Sequence, residues 1–190
     1  MFSTYSQLPH AEGLIEVIDS HDKPFLLMPK AEVLAQNLSH RVVMVALRNR
    51  EGRILVTHRG ATIDTEPVRI WGLSASTRVR AGESRIDAAL RALSFDAGIN
   101  TAQLIYGAGK APHILGTTSF DLLHITLFIA ESATAPGTVE PEQNAEVMFL
   151  DKDELEGMAQ HFPDMLSTGL LWAITSGALF SRTKAHAKTE

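Results

Sequence analysis

Charged side chains of opposite sign gather near the middle of the chain, at spacings that suit ion pairing and phosphate binding. Glu83 and Arg91 stand eight positions apart, and Asp96 follows five positions later. Arg78 and Arg80 precede them. A guanidinium group pairs with phosphate through two parallel hydrogen bonds, so the two upstream arginines are candidates for a phosphate site. The simpler alternative is a structural ion pair between Glu83 and Arg91, with the other charges on the surface.

The overall composition limits which partners such a site could serve. The chain has 190 residues, of which 45% are hydrophobic and 21% charged, and its formal net charge is −5. These proportions are typical of a globular domain. An acidic chain has no basic excess for a nucleic-acid backbone and no general attraction to anionic membranes. An anionic ligand would therefore need a local cluster of arginine and lysine.

The sequence contains no cysteine. This excludes disulfide bonds, thiolate zinc sites and a cysteine nucleophile, and it fits a reducing compartment. Residues 1–13 have neither a basic start nor an apolar run, so no signal peptide is predicted. The longest charge-free apolar stretch, residues 165–180, is shorter than the ~20 residues of a membrane span. We therefore expect a soluble cytoplasmic protein.

Hydrophobic patterning predicts one α+β domain, in which a mixed sheet carries helices packed on it. Alternating or β-branched runs predict strands at 14–18, 25–28, 42–47, 54–57, 70–73, 104–107, 122–130 and 147–150. Helical spacing predicts helices at 30–37, 84–97, 151–158 and 164–180. Turn residues and prolines predict loops at 60–69 and 132–144.

The strongest helix signal lies directly after Glu83. Ser84 precedes Asp87 by three positions, which is the spacing of a capping box. Gly98 is placed to end the helix as a glycine in the left-handed conformation. Between these ends, apolar residues repeat at i, i+3, i+4 and i+7 and form one face, namely Ile86, Ala89, Leu90 and Leu93.

The segment from Trp71 to Ile99 resembles the Nudix box, whose pattern is G-x5-E-x7-R-E-U-x-E-E-x-G-U with U apolar. Glu83 matches the first glutamate, Arg91 the arginine and Asp96 the last glutamate, and the remaining matches are Leu93, Gly98 and Ile99. The resemblance covers about residues 39–156. It implies an α/β/α sandwich and cleavage of a diphosphate linked to another group, with Mg²⁺ held by carboxylates of the box helix.

Three positions depart from the pattern of the Nudix box. The first glycine of the motif falls on Thr77, and two of its helix carboxylates fall on Ala92 and Phe95. Positions 92, 95 and 96 are three and four residues apart, so we expect them on one face of the helix. That face would keep only the carboxylate of Asp96, which predicts weakened or lost metal-dependent hydrolysis.

The resemblance implies catalytic and metal-binding roles for three carboxylates. It makes Glu83, Asp96 and Glu146 the catalytic candidates, and it makes Asp96 and Glu83 the candidate metal ligands. Mg²⁺ often uses only one or two carboxylates together with substrate phosphates and water. The expected cofactor is therefore Mg²⁺ or Mn²⁺ if the chain is active, and none if it is not.

The resemblance also implies binding and structural roles. Arg59, Arg78 and Arg80 are the candidates for phosphate contacts, and the last two are expected in the loop that faces the start of the box helix. Arg91 and Gly98 are expected to be structural. The ligand class that follows is a small phosphorylated compound.

Within the superfamily, the layout is most similar to the isopentenyl-diphosphate isomerase branch. The similarity lies in an N-terminal hairpin before residues 38–41, which read Leu-Ser-His-Arg. The catalytic segment of that branch aligns without gaps on residues 71–84 and puts its essential cysteine on Ser76. A hydroxyl is far less acidic than a thiol, so we do not expect the isomerase reaction.

Two functions remain open on the sequence. The first is a Nudix hydrolase of a small diphosphate compound, and the second is a degenerate Nudix domain that binds a nucleotide-like ligand or a protein partner. The expected organisation is an N-terminal hairpin and helix extension at 1–37, a Nudix-like domain at 38–180 and a flexible tail at 181–190. No nucleic acid or membrane partner is expected, and the choice between a monomer and a homodimer is open.

Overall fold

The computed structural model describes residues 13–60, 69–100, 102–113, 118–131 and 146–180. The strands are β1 Leu14–Ile18, β2 Pro24–Pro29, β3 Arg41–Arg48, β4 Ile54–Gly60, β5 Arg69–Leu73, β6 Ala75–Arg78, β7 Gln103–Lys110, β8 His124–Glu131 and β9 Glu146–Leu150. The helices are α1 Lys30–Ala35, α2 Arg85–Ala97, α3 Lys152–His161 and α4 Thr168–Thr175, with a 3₁₀ turn at Pro163–Met165. No helix in these ranges is long and apolar enough to cross a bilayer.

The strands form two sheets. β1 and β2 make a small antiparallel hairpin, and the other strands make one seven-stranded sheet with the path β5-β4-β3-β8-β7, in which β6 pairs with β3 and β9 pairs with β4. β3 and β8 are parallel, whereas β7 runs antiparallel to β8. The prediction of a mixed sheet is therefore confirmed.

The central strand β3 is buried on both faces, as expected for a strand between two helical layers. Val43, Val45 and Leu47 pack in one core cluster with apolar residues of α2. Val42 and Met44 point the other way, into a second cluster that includes residues of α3 and α4. The box helix thus covers one face of the sheet and the C-terminal helices cover the other, which confirms the expected α/β/α sandwich.

The site depends on a fork between β3 and β4. These strands pair at Arg48 and Ile54 beside their connecting turn, and farther along β5 pairs with β4 while β6 pairs with β3. Ser74 connects β5 to β6 at the place where β3 and β4 separate, and it is fully buried. Its Oγ accepts a hydrogen bond from Leu47 N at 2.8 Å and donates one to Leu55 O at 2.6 Å. One hydroxyl therefore satisfies backbone groups of both diverging strands.

The ends of α2 are those predicted. Ser84 is the N-cap, and its Oγ accepts a hydrogen bond from Asp87 N at 3.1 Å. Gly98 follows the last turn with φ of 66°, a left-handed conformation that glycine adopts without steric cost. These two caps fix which residues of α2 face the sheet.

The prediction of one closing helix over residues 164–180 is wrong. Only Thr168–Thr175 is α-helical, after the short 3₁₀ turn. Leu166 forms an isolated parallel bridge with Trp71, and Ser167 N donates to Trp71 O at 2.8 Å, so the chain is extended there. Gly177, with φ of 69°, follows the helix. Tertiary pairing with β5 therefore overrides the apolar helical pattern.

Three other predictions fall partly or wholly outside the described residues. They are the loop at 60–69, of which residues 61–68 are not described, the loop at 132–144 and the tail at 181–190. Gly60 and Arg69 themselves lie on strands β4 and β5.

Ion pairs fasten the N-terminal hairpin to the sheet and to α2. Arg41 Nε donates to Asp22 Oδ1 at 2.6 Å, and Arg41 also pairs with Glu16. Arg85, at the start of α2, pairs with the same Asp22 carboxylate. Burial raises the pKa of Asp22, but hydrogen bonds from the two arginines outweigh it and hold this pKa below its ordinary value. The hairpin is thereby held beside the N-terminus of the box helix.

Replacement of Ser74 by alanine tests the fork. The variant leaves Leu47 N and Leu55 O buried without their partner, so we expect the free energy of unfolding to fall by about 2–3 kcal/mol. Urea unfolding measures this change. The matched control is Ser94→Ala, because Ser94 is exposed on α2 and bonds only the nearby side chain of Asn100. Equal midpoints for the two variants would show that the fork does not need the hydroxyl.

Candidate functional site

A bidentate ion pair joins the loop before α2 to the helix itself. Arg91 Nε donates to Glu83 Oε1 at 2.7 Å, and Arg91 Nη2 donates to Glu83 Oε2 at 2.8 Å. Arg80 N adds a third hydrogen bond to Glu83 Oε2 at 2.9 Å. Both carboxylate oxygens of Glu83 are therefore already hydrogen-bonded.

Arg91 also ties the helix to strand β6. Its Nη1 donates to Thr77 Oγ1 and its Nη2 donates to Arg78 O, each at 3.0 Å. The hydrogen bonds that Arg91 donates to Glu83 raise the pKa of Arg91 above its ordinary value. Burial raises the pKa of Glu83, but the hydrogen bonds from Arg91 and from Arg80 N outweigh it and hold this pKa below its ordinary value. The pair is charged at neutral pH and positions β6 against α2.

Asp96 is turned toward β6 rather than toward solvent. It is 9% exposed, and its Oδ2 accepts a hydrogen bond from Ser76 N at 3.0 Å. The sequence left open whether this carboxylate is solvated or engaged. In the structure it is engaged and also lines a cavity beside α2.

This cavity, called here the cationic cavity, has a volume of about 370 Å³. It lies between the N-terminal hairpin, β6 and α2, and its charged lining residues are Lys30, Arg78, Arg80, Arg91 and Asp96. Arg91 is paired with Glu83, and the other charged lining residues in the described part of the chain are three cations and the one carboxylate of Asp96. The cationic cavity is the local cluster that an anionic ligand requires on an acidic chain.

Arg78 is the most constrained cation of the cavity. It lies on β6 opposite Val42, so the prediction that it stands in a loop is wrong. Its Nε is buried and has no hydrogen-bond partner among the described residues, and burial lowers the pKa of the guanidinium. A buried charged donor without a partner is costly, so Arg78 is held in this position at an energetic cost.

His40 keeps a neutral ring next to this arginine. Its Nδ1 lies 2.7 Å from Leu38 O, so Nδ1 carries the proton and Nε2 has none to donate. Burial lowers the pKa of His40, as does the positive charge of Arg78, while the hydrogen bond to Leu38 opposes them. The neutral ring adds no charge to the cavity region.

The other predicted residues are placed less favourably. Glu146 lies on β9 opposite His58, its side chain is 71% exposed, and its Oε2 is 3.9 Å from His58 Nδ1. It is not among the described lining residues of the cationic cavity. Arg59 lies on β4 opposite Ile70, and its side chain is outside the described part of the structure.

The two helix positions that lost carboxylates differ in environment. Ala92 is 3% exposed and belongs to the core cluster between α2 and the sheet. Phe95 is 71% exposed and lines the cationic cavity beside Asp96. The expectation that positions 92, 95 and 96 present one common surface is therefore wrong, because the helix turns Ala92 into the core.

Lys30 is a lining residue that the sequence analysis did not single out. It opens α1, directly after β2. No spacing relates it to the arginines, since only the docking of the hairpin brings it to the cavity. Its sole sequence signal is a positive charge next to Pro29 at the start of a short helix.

Comparison with known proteins agrees with this architecture. The model of the NUDIX domain family matches residues 38–167. The chain belongs to the Nudix family. A relative described as an uncharacterized Nudix hydrolase of Pseudomonas aeruginosa is 34% identical over 91 residues, which is 48% of this chain and 53% of that protein. The chain thus spans about half the length of that relative.

Two further comparisons cover more of the chain. An uncharacterized Nudix hydrolase of Yersinia pestis is 24% identical over 161 residues, which is 83% of this chain and 84% of the relative. The crystal structure of DR0079 from Deinococcus radiodurans superposes with a TM-score of 0.68 at 16% identity, over 86% of this chain and 98% of that one. At that identity the structural likeness shows the fold alone.

Nudix hydrolases generally use divalent metals, so the residues must be tested against such an ion. No group of three histidine or acidic side chains that could hold a metal occurs among the described residues. Both oxygens of Glu83 are bonded to Arg91 or to backbone, and Asp96 shares its cavity with the cations Lys30, Arg78 and Arg80. These residues do not fit a divalent cation held by the protein alone.

The charge of Glu83 is testable through the pH dependence of stability. Because its pKa is lowered in the folded state, its stabilisation is complete above the ordinary value of 4.5 and is lost as the pH falls through the lower folded value. Glu83→Gln should therefore lower the free energy of unfolding by about 1–3 kcal/mol at pH 7. The difference should shrink as the pH falls below 4.5.

Denaturant unfolding from pH 7 to pH 3 measures this trend. Glu156→Gln is the control, since Glu156 pairs with Lys152 on an exposed helix surface and should contribute little. A gap between wild type and Glu83→Gln that stays constant down to pH 3 would contradict the assigned ion pair.

Proposed function

We propose that this Nudix domain binds a small diphosphate-containing compound in the cationic cavity, with metal-dependent hydrolysis that is weakened or lost. The observation that carries the proposal is the lining of the cavity, where Lys30, Arg78 and Arg80 stand beside the single carboxylate of Asp96. An anion gains charge-assisted hydrogen bonds there, whereas a divalent cation is repelled.

Binding is supported by the local distribution of charge. The whole chain carries −5, so the cations in the described lining of the cavity oppose the overall sign. Such a concentration is an energetic cost without an anion, since like charges in a concave site repel one another. A phosphate would relieve this cost.

Weakened catalysis is supported by the state of the predicted carboxylates. Glu83 would have to leave Arg91 and Arg80 N before it could bind a metal. Asp96 would remain as a ligand of Mg²⁺ or Mn²⁺ delivered together with the substrate phosphates. Glu146, the candidate base, is exposed beside His58 and would have to come within hydrogen-bond reach of the attacking water.

The alternative is a functioning hydrolase, and the position of Asp96 in the cavity favours it. One carboxylate that faces bound phosphates could suffice for an ion that takes its other ligands from phosphate and water. Isomerisation is not proposed, because Ser76 provides a hydroxyl where that reaction uses a thiol. Binding of a protein partner has no specific observation in its favour.

A turnover assay separates binding from hydrolysis. The pure protein is incubated with Mg²⁺ or Mn²⁺ and a panel of nucleoside diphosphate compounds, and phosphate release is followed. We expect little or no turnover, and we expect Phe95→Glu to raise it because this variant adds a carboxylate beside Asp96. Brisk wild-type turnover that Asp96→Asn abolishes would contradict the proposal and support the hydrolase.

The binding claim has its own test with inorganic diphosphate. Arg80→Ala removes a cavity cation but keeps the backbone N–H that bonds Glu83, so affinity should fall about ten-fold or more while the fold is retained. Arg53→Ala is the matched control, since Arg53 is 43% exposed and pairs only weakly with Glu51 at 3.9 Å. Titration calorimetry gives both dissociation constants. Equal constants for the two variants would reject the cationic cavity as the binding site.

A further inference from the structure

The N-terminal hairpin and α1 have a small hydrophobic core of their own. We call residues 13–38 the hairpin unit. Its core consists of buried and partly buried apolar side chains, namely Ile15, Val17, Met28, Val33 and Leu38. This cluster is separate from the two clusters that cover the faces of the seven-stranded sheet. A segment with its own core can open as one cooperative unit while the rest of the domain stays folded.

A short seam joins the hairpin unit to the rest of the domain. Ile18 N donates to Ser39 O at 3.0 Å, and Val17 forms an isolated antiparallel bridge with His40. The ion pairs of Asp22 described above fasten the hairpin turn. The seam therefore combines a few backbone contacts with one strongly paired carboxylate.

His40, the first of two histidines on this seam, is buried beside a positive charge. It is 4% exposed, and its Nε2 has no hydrogen-bond partner among the residues that the structure describes. The guanidinium of Arg78 is the charged group that acts on the ring. A proton on Nε2 would therefore place a second positive charge in a buried position next to the first.

His124, the second histidine, begins β8 and faces the hairpin turn. Its backbone N–H donates to His40 O at 3.0 Å, so the two residues are neighbours. Its Nδ1 is buried and lies 3.3 Å from Asp22 Oδ1 without forming a hydrogen bond. The charged groups that act on the ring come from the hairpin, β3, α2 and β7, namely Asp22, Arg41, Arg85 and Lys110.

The charges around His124 are balanced only while its ring is neutral. Asp22 pairs with both arginines, Arg41 has Glu16 as a second partner, and Asp121 acts on Lys110. Three described carboxylates thus face three described cations. A proton on His124 would leave one positive charge in excess at the seam, where burial makes such an excess costly.

Release of the hairpin unit would expose both rings to water. Burial lowers the pKa of His40 and of His124 below the ordinary value of 6.5. As the pH falls below 6.5, the released form therefore takes up protons before the docked form does, and docking weakens. Asp22 stays ionised in this range, because its pKa is held below 3.8.

We propose that the hairpin unit is a pH-sensitive element, which leaves the sheet when His40 and His124 take up protons under mildly acidic conditions. The unit supplies lining residues of the cationic cavity, namely Gly13, Leu14, Ile15 and Lys30. Release therefore removes one wall of the cavity and one of its cations. The consequence for anion binding rests on the proposed function, whereas the release itself does not.

Amide hydrogen exchange of the free protein at pH 7.5 and pH 5 tests the release. The reporter is the amide of Ile18, which donates across the seam. Its protection factor should fall about ten-fold or more between the two pH values, because a released histidine ring is mostly protonated at pH 5. At pH 5 it should also lie well below that of Val45 in the fully buried centre of β3, since the unit opens without global unfolding.

A double variant, His40→Asn with His124→Gln, removes both titrating rings and keeps polar side chains. The protection of Ile18 should then change by less than about two-fold between the two pH values. Each single variant should keep part of the pH dependence, so the test holds even if the double variant does not fold. His21→Gln is the matched control and should follow wild type, because His21 is exposed in the same hairpin turn.

Sulfate, which keeps its charge between pH 5 and pH 7.5, connects the release to the cavity. If the cationic cavity binds anions, sulfate binds the docked form and should raise the protection of Ile18 at pH 5. Lys30→Ala should reduce this rise. A pH-dependent protection that sulfate does not affect would support the release and contradict the proposed function.

Three results would overturn the release, whatever sulfate does. The first is equal protection of Ile18 at the two pH values. The second is a loss of protection in the double variant, or in both single variants, as large as that in wild type. The third is equal protection of Ile18 and Val45 at pH 5, which would indicate global unfolding instead.

Discussion

The divergence of β3 and β4 is the constraint on which the site depends. Two antiparallel strands that separate expose backbone groups, and buried groups of this kind must find partners. The hydroxyl of Ser74 forms hydrogen bonds with both strands at the place where they separate. Beyond it, β5 pairs with β4 and β6 pairs with β3. Because β6 is inserted there, the backbone of Ser76 reaches Asp96 of the box helix and Arg78 lines the cationic cavity.

A second constraint fixes the far end of this inserted strand. Arg91 bonds Glu83, Thr77 and the backbone of Arg78 at once, so the loop, β6 and α2 move as one unit. The same bonds commit the first glutamate of the Nudix box to structure. In this chain the residues that build the site and those expected to hold a metal are in part the same, which explains how the fold persists while the carboxylate set is depleted.

The charge of the cationic cavity is opposite in sign to the net charge of the chain. The chain as a whole carries −5, whereas the described lining of the cavity holds Lys30, Arg78 and Arg80 beside the carboxylate of Asp96. Hairpin β1–β2 contributes to this contrast, because ion pairs of Asp22 with Arg41 and Arg85 hold it where Lys30 can line the cavity. The cations on which the proposed anion binding rests thereby come from separate parts of the sequence.

The sequence by itself determined the elements with strong local signals. Helix α2 was predicted to within one residue because Ser84 caps one end and Gly98 the other, and the mixed sheet followed from its β-branched runs. The sequence also identified the Glu83–Arg91 pair and the loss of carboxylates at positions 92 and 95. Tertiary structure decided what local patterns do not encode. It shortened α4 by pairing Leu166 with Trp71, turned Ala92 into the core and brought Lys30 to the cationic cavity. Those outcomes depend on contacts between residues far apart in the chain, which neither spacing nor composition specifies.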